Sequence, residues 1–229
     1  MTKKRAVRKS SNRNIYIGIS VVVIVAGVAG VYFLFGSLIP RTTSPQINPA
    51  DFSFPNRLGA EDAPITILEF GEYQCPNCAS FHRNTKDLLV SRYVDSGIVK
   101  IYFRDFAYYG QDSTDAAIAA RCAGDQGRYW DYHDVLFSTQ GQINSGWANK
   151  TQLVGFAVAI DLDVPTFASC LNSGEHLSEV ESDFAEGVRL GVGGTPTFVI
   201  IGPDGRQQII VGAQPFSAFE RIIESLLIG

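Results

Sequence analysis

Between Pro64 and Arg104 three patterns follow one another and leave this chain little freedom of fold. Pro64 to Phe70 (Pro-Ile-Thr-Ile-Leu-Glu-Phe) is a short, nearly continuous apolar run rich in β-branched residues, as expected of a strand covered on both faces. After the turn Gly71-Glu72-Tyr73-Gln74, a helical spacing begins at Cys75 and sets Cys78, Phe81, Thr85 and Leu88 along one side until about Tyr93. Gly97 to Arg104 then reads as a second strand. A strand, a crossover helix and a strand imply parallel pairing, because parallel neighbours need a long connection.

The junction of the first strand and the helix carries Cys75-Pro76-Asn77-Cys78. At a helix amino terminus, unpaired N–H groups and the macrodipole stabilise a thiolate, so Cys75 stands where its pKa should fall. Cys78, one turn on, is close enough to attack a mixed disulfide at Cys75. Pro76 suits a first helical turn, where its missing N–H costs nothing. A c-type haem site would need His after Cys78, and Ala79 is there. Zinc on Cys75, Cys78 and His82 would lack a fourth ligand, and an inert structural disulfide is the other rival. The spacing and its place favour a redox-active dithiol, with no bound cofactor, over both.

Charge is divided along the chain. Six basic residues (Lys3, Lys4, Arg5, Arg8, Lys9, Arg13) fall in the first thirteen positions, and the first acid is Asp51. The remainder holds 13 basic and 23 acidic residues, a poor surface for nucleic acid. From Ile15 to Ile39 there is no charged side chain; as a helix this run would extend about 37 Å, enough to cross a membrane. A cleaved signal peptide with Gly27-Val28-Ala29 near its end is the competing reading. The apolar run continues through Phe35, which favours a retained anchor. The positive-inside rule then puts a basic tail (1–14) in the cytoplasm, an anchor at 15–39, and the acidic body outside. Pro45, Pro49 and Pro55 make 40–57 an extended tether.

Beyond residue 108 the pattern is helical, around 116–123, 128–137, 150–160, 165–171 and 175–190. Strands return at Thr197 to Ile201 and Gln207 to Val211, joined by the turn formers Gly202-Pro203-Asp204-Gly205. A last helix aligns Phe219, Ile222, Ile223, Leu226 and Leu227, with Ser217 and Glu220 spaced as a capping box. Tyr129, Trp130, Tyr132 and Phe137 are expected to pack within the helical block rather than meet substrate. His133 and His176 have no evident partner. Cys122 and Cys170, 48 positions apart, suit a structural bridge in an oxidising compartment, which the chain-entropy argument values at about 4 kcal/mol. Two buried thiols or a relay with the first pair are the alternatives. Asn149-Lys150-Thr151 is a glycosylation sequon, a weak signal.

The segment Glu69-Phe70-Gly71-Glu72-Tyr73-Gln74-Cys75-Pro76-Asn77-Cys78, with Gly193-Gly194-Thr195-Pro196-Thr197-Phe198 far downstream, resembles the DsbA-like branch of the thioredoxin superfamily, especially the membrane-anchored DsbA/BdbD type. The resemblance spans about residues 58–228. It implies an α/β thioredoxin-like fold, a mixed central sheet flanked by helices, over 58–229, with an all-helical subdomain inserted at about 108–188. It implies Cys75 as nucleophile, Cys78 as resolving thiol, Pro196 as a cis-proline against the pair, and Glu69 as a buried carboxylate that moves a proton to or from Cys78. An acid within an apolar strand should have a raised pKa, in agreement with that role. Thr195, Pro196 and Tyr73 would border a shallow groove for extended peptide. The activity implied is disulfide donation to newly secreted cysteine-containing proteins by a monomer, with a quinone-linked DsbB-like or VKOR-like membrane protein as reoxidant. Asn77, where strongly oxidising members often have His, lends weight to a reductase or isomerase. A non-catalytic chaperone or binding module sharing the fold is a further alternative, against which the intact cysteine pair argues.

Overall fold

The computed structural model describes residues 56–228. The basic tail, the apolar segment at 15–39 and nearly all of the tether lie outside the described residues, among which no helix is long and apolar enough to cross a membrane.

The β-branched run forms β2 (Ile65–Gly71), buried along its whole length because both its neighbours are strands and both its faces are covered. It pairs in parallel with β3 (Val99–Asp105), Glu69 lying opposite Phe103, and antiparallel with β4 (Thr197–Ile201), Glu69 lying opposite Phe198. β5 (Gln207–Val211) adds antiparallel to β4. The far edge is β1 (Arg57–Leu58), antiparallel to β3 and locked by the Asn56 side-chain amide donating to the Phe103 carbonyl. The mixed sheet therefore runs β1-β3-β2-β4-β5. Its first strand begins inside the stretch expected to be tether, since a two-residue edge pairs through backbone and leaves no side-chain pattern.

Alternation along β2 sorts its side chains. Ile65 and Ile67 join Phe81, Leu89, Phe198, Phe219 and Ile223 in a core under the first and last helices. Leu68 and Phe70 face the other way, onto Tyr102, Phe106, Val199, Ile201 and the half-buried Phe184. At Gly71 any Cβ would meet the Phe103 ring at 2.2 Å, so only glycine lets β2 end here before the chain turns.

The first helix, α1, opens as Pro76–Phe81 and continues through a wide π turn (His82–Lys86), a short α segment (Asp87–Leu89) and a second π turn (Val90–Val94). Each π turn takes in one extra residue and rotates the buried stripe. Leu88, expected inside from a 3.6-residue period, is consequently 52% exposed, and Leu89 takes its place in the core.

Five helices follow β3: α2 (Gln111–Gly124), α3 (Tyr129–Ser138), α4 (Lys150–Ala159), α5 (Val164–Ser173) and α6 (Leu177–Arg189). The first four enclose a second core containing Tyr129, Tyr132, Phe137 and Phe167, which also takes in Tyr73, Cys75, Cys78 and Phe103 from the sheet side. Cys122 on α2 and Cys170 on α5 are bridged. α6 returns across the sheet. Ion pairs fasten it there: Arg121 of α2 donates to Asp105 at the end of β3 and to Asp183 of α6, and Arg104 reaches Asp183 and Glu186. The closing helix α7 (Phe216–Ile228) starts after Pro215, one residue before Ser217. Ser217 thus lies inside the first turn and the capping box expected with Glu220 does not form; Pro215 sets the boundary instead. Of the five apolar residues expected on its face, Phe219, Ile223 and Leu226 are buried.

Two outcomes follow from this packing. Replacing Arg121 with Leu leaves Asp105 and Asp183 buried without their shared cation and should cost about 3–5 kcal/mol in denaturant unfolding. Replacing Cys122 and Cys170 together with Ser opens the covalent loop and should cost about 2–4 kcal/mol by the same measurement.

Candidate active site

The turn after β2 sets the start of α1. The Cys75 N–H donates to the Glu72 carbonyl at 3.0 Å, and Cys75 then caps α1 in an extended conformation with Pro76 in the first helical turn. Cys75 and Cys78 are present as free thiols, Cys75 only 4% exposed and Cys78 fully buried. The Thr195–Pro196 peptide bond is cis and its loop lies against Cys75, whose thiol donates to the Thr195 carbonyl at 3.4 Å.

The two sulfurs are driven apart in acidity. A hydrogen bond from Cys78 lowers the Cys75 pKa to about 5 against the opposing effect of burial, with help from the Thr195 side chain and the backbone N–H groups of Cys78 and Asn77. Burial raises Cys78 well above the ordinary thiol range, and its hydrogen bond to Cys75 and the neighbouring Cys75 and Glu69 charges add to this. Glu69 is 3% exposed. Burial raises its pKa to about 8, and only the Lys86 charge pulls it back. β2 therefore holds this acid inside, as an apolar strand flanked by two others must. The cation comes from the first π turn of α1, where Lys86 is buried and donates to Asp134 of α3 at 2.7 Å.

Residues that sequence reading did not single out hold the turn in place. The buried Glu72 carboxylate accepts from Gln74 N–H and the Ser113 hydroxyl on one oxygen and from Tyr108 N–H on the other. Gln74 donates to the Ser113 hydroxyl and accepts from Asn144 N–H. Gln140 donates to the carbonyls of Tyr73 and Cys75. A polar residue such as Glu72 or Gln74 flanking the cysteine pair was the available signal, but the partners outside the turn stand 36 to 70 positions away.

Tyr73 does not border a groove as expected. It is buried, its hydroxyl 3.1 Å from His133 Nδ1 and 3.3 Å from the Tyr129 hydroxyl, because the turn points it into the helical subdomain. Tyr108 stands beside Thr195 instead, with 3.2 Å between their hydroxyl oxygens. An open groove of about 470 Å³ runs between α1 and the loop after β5, lined by Ser80, Asn84, Leu88, Gln214, Pro215 and Phe216. Ala213 also lines it, and the preceding residue Gly212 donates its N–H to the Pro196 carbonyl at 2.8 Å.

His82 is turned toward α3, bonded to Asp134 at 3.0 Å and stacked on Phe137. His176 is bonded to Asp125 at 2.7 Å. Among the described residues, two sets of donors lie close enough to share a metal ion. In one, Cys122 and Cys170 beside His176 are tied up in their bridge. In the other, His82, His133 and Asp134, the Lys86 ammonium already neutralises the only carboxylate. Neither set includes Cys75 or Cys78.

A family model described as thioredoxin matches residues 55–225. The probable disulfide bond formation protein D of Bacillus anthracis is 28% identical over 198 residues, 85% of this chain and 90% of that protein. The crystal structure of oxidised BdbD from Bacillus subtilis superposes with a TM-score of 0.70 at 26% identity, covering 82% of this chain and 98% of that one. That of α-DsbA1 from Wolbachia pipientis gives 0.67 at 25% identity, covering 80% and 96%. With a cysteine pair at a helix start, a cis-proline beside it and these relatives, the chain belongs to the thioredoxin family as a DsbA-like thiol-disulfide oxidoreductase.

Proposed function

We propose that the chain is a disulfide oxidase, held at the outer side of a membrane by residues 15–39, that donates the Cys75–Cys78 disulfide to newly secreted proteins. One observation carries the direction: the Cys75 thiolate is favoured down to a pKa of about 5. A stabilised thiolate favours the reduced pair, which makes the corresponding disulfide a strong oxidant.

In the forward reaction a substrate thiolate attacks Cys75 Sγ. The Cys75–Cys78 bond breaks, and the electron pair goes to Cys78. With its pKa raised to about 8, Glu69 carries a proton at neutral pH and gives it to the departing Cys78 sulfur, whose own acidity is still weaker. A second substrate thiolate attacks the substrate sulfur of the mixed disulfide and expels Cys75 as the thiolate. The substrate loses two electrons and the enzyme pair gains them. A quinone-linked membrane protein of the DsbB-like or VKOR-like kind then withdraws the electrons through its own disulfide, with Glu69 taking the Cys78 proton back. No cofactor takes part beyond the cysteines. Extended substrate lies in the groove lined by Leu88 and Phe216, with its cysteine over Cys75 and its backbone beside Thr195 and Pro196.

The reduction potential of the domain, measured by equilibration with glutathione, should lie well above the value of about −270 mV typical of thioredoxin. Turnover on a reduced, unfolded substrate should vanish in Cys75→Ser. A potential at or below the thioredoxin value would sink the oxidase reading and favour a reductase.

Glu69 generates a second expectation. Its folded pKa of about 8 exceeds its unfolded value of 4.5, so the folded chain keeps a proton that the unfolded chain releases between those pH values. The stability it contributes is fully present below about pH 4.5 and lost as pH rises through about 8. Denaturation of the oxidised protein should therefore show Glu69→Gln gaining about 3–5 kcal/mol on the parent across that window. At neutral pH the same variant should slow exchange at Cys78 by at least about tenfold, in stopped-flow measurements.

A further inference from the structure

Beside the Cys122–Cys170 bridge stand two side chains of metal-binding type that the exchange chemistry does not use. Cys122 lies in the last turn of α2 and Asp125 caps that helix three residues on, so both leave it on one face. Cys170 lies in the last turn of α5. At Gly174 the chain turns through a left-handed conformation (φ 69°), which brings His176, at the start of α6, back against the bridge. The two sulfurs and one His176 ring nitrogen lie within 4.8 Å of one another. Asp125 Oδ2 is 3.7 Å from the Cys170 sulfur and 2.7 Å from His176 Nε2. The other ring nitrogen, His176 Nδ1, faces Glu179 Oε1 at 3.7 Å. An open pocket of about 580 Å³, lined by both cysteines, Asp125, Thr166 and Glu175, joins the group to solvent.

The four donors come as two close pairs in sequence, Cys122 with Asp125 and Cys170 with His176, an arrangement common among zinc ligands. In a tetrahedral site with Zn–S of about 2.3 Å and Zn–N or Zn–O of about 2.0 Å, neighbouring donors stand roughly 3.3–3.8 Å apart. The Cys170 sulfur and Asp125 Oδ2 already meet that spacing, and His176 Nε2 and Oδ2 need open by only about half an ångström. The sulfurs must part once their bond is cut. Their Cα atoms are 5.9 Å apart, so rotation about the Cα–Cβ bonds suffices. We propose that Cys122, Cys170, His176 and Asp125 form a redox-gated zinc site: a disulfide bridge when oxidised, a Zn²⁺ centre when reduced. A dithiol supplies the two electrons. Its thiols are oxidised to a disulfide, the Cys122–Cys170 bond breaks, and the two cysteines take up Zn²⁺ as thiolates with a net release of two protons. Two thiolates, one imidazole and one carboxylate suit zinc, and Glu179 on Nδ1 leaves Nε2 to bind the metal. The ion then ties α2, α5 and the start of α6 together in place of the covalent bond, so the helical subdomain is cross-linked in either redox state. Neither Cys75 nor Cys78 takes part, and the site stands apart from the proposed exchange.

The test uses the full chain with Cys75→Ser and Cys78→Ser, which leaves Cys122 and Cys170 as its only cysteines. One sample is kept oxidised; the other is reduced with a dithiol and freed of it by anaerobic gel filtration. Titration of Zn²⁺ against a chromogenic chelator should give one ion per reduced chain and none per oxidised chain. Zinc at about a hundredfold excess over its Kd should raise the melting temperature of the reduced chain by roughly 5–10 °C and leave that of the oxidised chain unchanged. Co²⁺ in its place should show the intense visible absorption of a tetrahedral thiolate centre. His176→Gln and Asp125→Asn keep the bridge, so their folding is checked in the oxidised form; once reduced, each should bind Zn²⁺ at least about tenfold more weakly. A reduced chain that takes up no zinc, or whose melting temperature zinc leaves unmoved, overturns the proposal. Equal uptake by the oxidised chain does so too, as does a His176→Gln variant with the parent's affinity.

Discussion

Burial and charge compete at Cys75. The thiol is nearly enclosed, which disfavours its ionised form, and yet the sulfur is more acidic than a free cysteine. Hydrogen-bond donors must therefore replace the water that packing removes. They come from three directions: the Cys78 thiol and backbone N–H groups at the start of α1, and the Thr195 side chain from the loop that leads into β4. The rest of the molecule serves to bring these together. β2 ends where Gly71 permits a turn, the Glu72 carboxylate holds that turn to β3 and α2, and the sheet sets the cis-proline loop against the helix start.

Beneath the thiols the same competition is settled differently. Glu69 and Lys86 are both buried, and the carboxyl is held toward its neutral form because one ammonium, itself shared with Asp134, does not offset the loss of water. Around the helical subdomain, Arg121 bridges two acids from different elements, a geometry that ties α2 and α6 to the end of β3. Buried charge here fixes where elements dock, while apolar contact supplies most of the cohesion.

What could be read from sequence follows from how local each signal was. The strand before Cys75, the cysteine spacing, Pro196 with its flanking glycines and the hairpin from Thr197 to Val211 all sit within short windows, and the structure places them where the pattern suggested. Leu88 was misplaced because a fixed helical period does not anticipate π turns, and those same turns bring Lys86 under the sheet. Tyr73 looked like a surface aromatic because its position beside the cysteines is close in sequence, although its ring points the other way, toward His133. Tyr108, Gln140 and Asn144 were invisible, since each reaches the site from a loop whose course depends on the whole helical insertion.

The two-residue strand β1 fixes where the described chain enters the sheet. It runs antiparallel to β3, with Arg57 opposite Tyr102 and Asn56 bonded to Phe103, so the chain enters the sheet beside the carboxyl ends of β2 and β3. Those are the ends from which the turn to Cys75 departs. The entry of the chain into the sheet and the reactive sulfur therefore share one pole of the described domain. A pull on the amino-terminal side loads the Asn56–Phe103 bonds along the strand axis, as a shear, and swings the cysteine pole toward whatever does the pulling.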